Sequence, residues 1–316
     1  MRAKKDVSEQ QQEVPKQQIR RTHGPGWLSW YEHGYKKLLL IPIIIFIAAV
    51  LQIGWQYAAT GDFVLKGISL EGGVSITVTA DPGLSIQEIE STLQGAFPEH
   101  QVMVRNLQQR GERIGVLIES DMESLEARDA LVEAVRDLYG GNLSEDALSV
   151  ESTGSVLGED FFRQTSIALL VAFIFMGIVV FLFFRSIVTS LAIIWAALFD
   201  IVVTIAIVNI LGIRLSTAGV AAFLMLVGYA VDTNILLSNK LLKRKGEAFS
   251  KVVDAAKTGL MMTLTTLAAL LVALFVTESQ VIAQIMTILV IGLCVDMIST
   301  WIQNAGILRM YVEGKD

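Results

Sequence analysis

A chain of 316 residues that is 53% hydrophobic and only 18% charged, with a mean hydropathy of +0.56, is too apolar for an ordinary water-soluble domain and reads as a membrane protein. Its net charge of −6 is unevenly spread: residues 58–160 carry 6 Lys/Arg against 19 Asp/Glu, whereas residues 1–57 carry 8 against 4. A single cysteine, Cys294, three scattered histidines, and no Walker A loop, dinucleotide fingerprint or nucleophile elbow argue against a disulfide, a metal site, ATP hydrolysis or other catalysis, so no cofactor, metal or nucleic-acid partner is expected.

Residues 1–37 are polar and rich in Gln, Lys and Arg, and read as a disordered cytoplasmic tail. The first apolar run, 38–57, meets the roughly 20-residue requirement of a bilayer and ends in Trp55 and Tyr57 at an interface. It exceeds the roughly 7–15 residues of a signal-peptide core, so it reads as a retained anchor.

Residues 58–160 then form an acidic, extracytoplasmic domain. The alternation Ile68, Leu70, Val74, Ile76, Val78 predicts one strand with a bulge at Glu71-Gly72-Gly73. Ser85 with Glu88 is a capping box opening a helix that carries Ile89 and Leu93. Strands are expected at 101–107 and 113–119 around a Gln109–Glu112 turn. A helix is expected at 121–139, with Leu125, Ala130, Leu131, Ala134, Val135 and Leu138 inward, and a last strand at 148–156. The order βαββαβ is that of the ferredoxin-like split motif. The sequon Asn142-Leu143-Ser144 is a candidate glycan acceptor.

Five further spans follow at 161–184, 187–211, 217–239, 258–276 and 281–301, making a five-helix bundle over 161–302 and a short tail over 303–316. Lys and Arg gather in the tail, at Arg185, between the fourth and fifth spans, and at the C-terminus, so both termini are expected in the cytoplasm. Three acids fall inside apolar segments: Asp200, Asp232 and Asp296. A charge at mid-bilayer costs about 2.5–3.5 kcal/mol on insertion scales, so each needs a partner, water or a proton. The plain alternative for each is a structural hydrogen bond between helices. Asn234 and Gly228 make the surroundings of Asp232 the most polar and open, and Asp296 reads as the shallowest. Cys294 is expected as a small buried hydrophobe.

The stretch Gly228–Asn234 is similar to the fourth-helix motif of the SecD/SecF family. In the same order, Gly67–Gly73 resembles that family's GIDFxGG signature, Phe199–Val202 its third-helix motif, and Thr263–Thr266, with Thr265 and Thr266, its fifth-helix motif. The single short outer domain points to the SecF-like branch. Two departures, Asp232 at the position of an Asn and Thr258 at that of an Arg, fit an archaeal type. The resemblance implies half of a pseudo-symmetric, RND-like assembly in the cell membrane. It implies a partner of the SecD type, docking beside the SecY channel, contact with preprotein and lipid, and coupling of export to an ion gradient. The intramembrane polar residues Asp232, Asp200, Asp296 and Asn234 are the candidates for that coupling, and Asp232 is the first of them, expected to face a polar seam toward the partner bundle and to change protonation there. The rivals are a small-molecule or lipid exporter half and an uncoupled assembly factor.

Overall fold

The computed structural model describes residues 34–314, except 81–82, 110–111, 141–142, 145–146, 244–246 and 278. The tail through residue 33, the tip of the Arg110-Gly111 turn, Asn142 of the sequon and the Arg244-Lys245 pair lie outside the described residues. Among those described, six helices are long and apolar enough to cross a membrane.

The first span, Gly34–Thr60, contains α1 (Leu40–Thr60), which ends at Gly61 in a left-handed conformation whose N–H returns to the Tyr57 carbonyl. The stretch expected as one bulged strand is two elements: α2 (Ile68–Glu71), a single helical turn, and β1 (Gly73–Val78). Ile68 and Leu70 are both buried by that turn, so their spacing imitates a strand. Gly72 (φ 95°) and Gly73 (φ 123°) make the redirection, in a region L side chains avoid, and a Cβ on Gly73 would run into the Ser120 carbonyl.

The sheet continues through α3 (Ile86–Ala96), β2 (Val102–Gln109), β3 (Glu112–Ser120), α4 (Leu125–Leu138) and β4 (Leu148–Thr153). The capping box is present: Ser85 Oγ accepts the Glu88 N–H at 3.2 Å, and Glu88 Oε2 accepts the Ser85 N–H at 2.8 Å. Strand order is β2-β3-β1-β4 with every pair antiparallel; Ile118 faces both Ile76 and Val104, and Ile76 faces Val150. Val74, Ile76, Val78, Val102, Val104, Val116 and Ile118 share one face, and Ile89, Leu93, Leu131 and Val135 cover it. Both helices therefore lie on the same side, as their single apolar stripes require. The second helix starts later than expected. Leu125 in its first turn and Ala130 are exposed, because the buried stripe runs through Leu131 and Val135 instead.

β4 stops at Thr153, and after Gly154 the chain enters α5 (Ser155–Phe184) directly, so residues 155–156 are helical rather than the end of a strand. Then come α6 (Ile187–Ile210), α7 (Thr217–Lys243), α8 (Ala248–Val276) and α9 (Gln280–Ile298), a π-helical turn over Ser299–Asn304, and α10 (Ala305–Glu313). Two ends differ from expectation. α8 starts well before Thr258, since Val252 and Ala255 pack with Trp301 and Leu308 in a shared cluster. The sixth span runs through the π-turn to Glu313, so the expected tail from residue 303 is mostly helix. α6 and α7 form the centre of the bundle, and α1 and α5 its rim.

The sheet is rooted in the bundle. Leu70 of α2 packs in one cluster with Val208, Leu215, Phe223 and Ile288 from the membrane helices and their loop. The Gly67 N–H donates to the Leu215 carbonyl at 2.8 Å, the Leu215 N–H to the Leu65 carbonyl at 2.6 Å, and the Thr217 N–H to Ser69 Oγ at 3.1 Å. Asn209 Nδ2 donates to the Phe63 carbonyl at 3.0 Å.

Candidate functional site

Helix lengths place two of the three acids. Asp200 lies about 20 Å from the start of α6, and Asp296 about 22 Å from the start of the span Val281–Glu313 and about 25 Å from its end, so both sit at mid-membrane. Asp296 is not shallow; it looked so only because the helix was expected to stop at Trp301.

α6, α7 and α9 turn Asp200, Thr233, Asn234 and Asp296 toward one another in the centre, with Asp200, Asn234 and Asp296 each 0% exposed. Thr233 Oγ1 lies 3.1 and 3.0 Å from the two oxygens of Asp296, and Thr300 donates to Oδ1 at 2.9 Å. Thr300 reaches back from the π-turn, an irregularity that recurs at functional sites in helices. Asn304 Nδ2 donates to Asn234 Oδ1, and Asn234 Nδ2 to the Ala230 backbone carbonyl at 2.7 Å. Asp200 faces Asp296 and Ser299 across the helix interface. Among the described residues, no Lys or Arg pairs with either acid.

Two further facts shape the chemistry. Thr233 has one hydroxyl proton and a second acceptor, the Ala230 carbonyl at 3.1 Å, so it can either donate to Asp296 or accept from it while donating to the backbone. Buried polar side chains also continue away from the pair in both directions. Thr204 stands one turn along α6, while Thr300, Gln303, Asn304 and Ser238 lead toward the other end. Such a group, two acids facing each other among hydroxyls in an apolar layer, is chemically able to hold one proton or one small cation.

The other sequence-predicted residues lie elsewhere. Asp232 is exposed on the outer face of α7 beside Gly228, where a Cβ would meet nothing, and Tyr229. Thr265 is exposed and Thr266 half-buried, and both hydroxyls bond to their own helix at the Met261 and Met262 carbonyls. Thr258 binds Lys240 Nζ at 2.8 Å, next to the Lys240–Asp254 ion pair, and does not touch the acids. Gly67, Gly72 and Gly73 serve the sheet's root. Cys294 is exposed on α9 rather than buried. Thr233, Ser299, Thr300, Gln303 and Asn304 were missed. The signal was present as polar residues at 296, 299–300 and 303–304, one face of an otherwise apolar helix.

Residues 135–314 match the family described as "Protein export membrane protein SecD/SecF, C-terminal". The chain is 35% identical over 285 residues to the protein-export membrane protein SecF of Methanocaldococcus jannaschii, covering 88% of this chain and 96% of that one. It is 38% identical over 285 residues to SecF of Pyrococcus furiosus, covering 89% and 93%. In fold it is similar to the crystal structure of SecDF from Thermus thermophilus, a translocon-associated membrane protein, with a TM-score of 0.69 at 21% identity. That match covers 92% of this chain and 39% of the SecDF chain.

Proposed function

The chain belongs to the SecD/SecF family of protein-export membrane proteins, and on that premise we propose that it is a SecF-type, non-enzymatic subunit of the Sec export machinery that couples an ion gradient to outward movement of preproteins. The observation that carries the coupling is the Asp200–Asp296 pair, buried at mid-membrane without a basic partner among the described residues. An ion that binds between the acids removes their mutual repulsion, and its departure restores it. The Thr233 hydroxyl turns toward or away from Asp296 as that happens. The polar residues running from the pair toward both ends of the bundle supply the route.

Lys and Arg placement supports a topology with both termini in the cytoplasm and the acidic sheet domain outside. The partner is a SecD-type chain, and the face that receives it carries Gly228, Tyr229 and Asp232, because an acid at that depth is not left to lipid. The assembled pair stands beside the SecY channel, within reach of the emerging preprotein. The test is export into inverted membrane vesicles containing a SecD-type partner, with and without an imposed proton or sodium gradient. Asp200→Asn and Asp296→Asn should each assemble with the partner yet lose gradient-dependent stimulation; stimulation equal to wild type in both variants would sink the coupling.

A further inference from the structure

A second polar site lies away from the acid pair, at the foot of the sheet. The end of β3, the start of β2, the α2 turn and the α6–α7 loop enclose a cavity of about 210 Å³ whose walls include Glu71, Gln94, Glu119, Ser120, Asp121 and Arg214. Glu119 is 9% exposed and Ser120 only 3%. Each leaves an oxygen unfilled, since neither Glu119 Oε2 nor Ser120 Oγ has a hydrogen-bond partner. Arg105 stands 3.7 Å from Glu119 Oε2, near enough to feel its charge and too far to donate to it.

The neighbouring groups are already engaged. Asp121 Oδ1 accepts the Gln101 N–H at 3.0 Å and lies 3.2 Å from His100 Nδ1. Gln94 accepts the Val102 N–H at 3.1 Å and donates to the His100 carbonyl at 2.7 Å. At the mouth, burial lifts the Glu71 carboxyl above the usual carboxylate range, against the opposing pull of Arg214 and Lys66. What remains open is the buried Glu119 oxygen, with a carboxyl at the rim. Unfilled buried acceptors are destabilising until a donor reaches them.

The donor has a recognisable chemistry. Among the described residues no three His, Cys, Asp or Glu side chains gather as a metal-holding group, so the site suits an organic cation rather than a metal ion. Its position adds direction. β2 is an edge strand of the sheet, and the cavity is lined by Gln101, Val102 and Met103 where that strand begins. An extended peptide can pair along such an edge and present alternate side chains to a pocket on one face.

We propose that this cavity takes the ammonium or guanidinium head of one Lys or Arg side chain from an extended polypeptide lying along the β2 edge. The occupant is a passing preprotein, and in that respect the site rests on the export role proposed above. Glu119 Oε2 accepts from the head, Glu71 supplies a second negative charge at the mouth, and Arg105 and Arg214 oppose entry and so set the affinity.

The full chain in lipid nanodiscs should be titrated, by fluorescence anisotropy, with a labelled peptide of alternating Ser and Thr bearing one central Lys, and with the same peptide bearing norleucine there. The Lys peptide should bind about tenfold more tightly, the worth of a charge-assisted hydrogen bond. Glu119→Gln should remove most of that preference, Glu71→Gln at the rim should reduce it without disturbing buried packing, and Arg214→Gln should tighten binding of the Lys peptide. Equal affinity of wild type for the two peptides overturns the proposal, as does an unchanged preference in both Glu119→Gln and Glu71→Gln. Absence of the preference in wild type whose gradient-stimulated export is intact would overturn this site alone. A preference for Lys in a chain that does not support export would sustain the site and overturn the export role.

Discussion

The hydroxyl of Thr233 is the smallest group on which the proposed coupling depends, because it touches both oxygens of Asp296 and a backbone carbonyl of its own helix. Thr233→Val keeps the shape and removes the switchable proton. We expect it to lower gradient-stimulated export while leaving assembly with the partner chain unchanged, and Thr233→Ser to recover most of the loss in the same vesicle assay. A second residue-scale expectation concerns acid stability of the sheet domain. The Ser85 N–H and hydroxyl hold the Glu88 carboxylate below its usual pKa. Since the folded value lies below the unfolded one, this contribution is complete above the ordinary carboxylate range and is lost as the pH falls through the lowered folded value. Melting curves followed by circular dichroism should therefore fall more steeply with acid for wild type than for Glu88→Gln across that window. The capping box was legible in the sequence because its partners are three residues apart. Asp200, Asp296 and Asn234 were legible as polar residues in apolar runs. Which way Asp232 points was not, since α7 is apolar both where it meets protein and where it meets lipid, so the contrast that fixes helical phase in a soluble protein is weak.

At the level of elements, close approach at small residues sets how the helices meet. A Cβ on Gly259 of α8 would come within 2.7 Å of Trp301 Cη2, in the π-turn just beyond the acid pair. Gly259→Ala should therefore cost about 1–3 kcal/mol, the usual range for overpacking a well-filled interior. The fall should show in the midpoint of thermal unfolding in detergent, and Trp301→Leu in the same background should restore part of it. Contacts of this kind also explain why some boundaries escaped the sequence. The first turns of α8 are amphipathic, carrying Lys251 and Lys257 beside the buried Val252 and Ala255, and read as a basic loop until Trp301 and Leu308 are seen against them. α2 escaped because one helical turn is too short to show a period. The four strands and two helices of the sheet domain were legible because a one-sided sheet alternates and its helices carry a single stripe.

For the molecule as a whole, the expectation that follows from charge placement is topological. Ser124, the exposed N-cap of α4, and Ser250, exposed near the start of α8, lie in the sheet domain and at the Lys-rich end of the bundle respectively. Ser124→Cys should react with an impermeant thiol reagent added to intact cells, and Ser250→Cys only after the membrane is opened. The opposite pattern would reverse the orientation of the whole chain. Cys294 is replaced in both variants, since it is exposed on α9.

The junction between β4 and α5 has a mechanical consequence. Only Gly154 separates the last strand from a helix of 30 residues, and the other tether, Leu65–Ser69, is bonded to the α6–α7 loop. Neither connection has slack to absorb a displacement. α5 is about 45 Å long, so a tilt of about 5° about its far end carries the base of the sheet sideways by about 4 Å. A shift of the bundle too small to open a gap between packed helices would thus reach the far side of the membrane enlarged, as torque at the end of a lever arm. The stroke would then be set by the length of α5 rather than by the size of the ion that starts it.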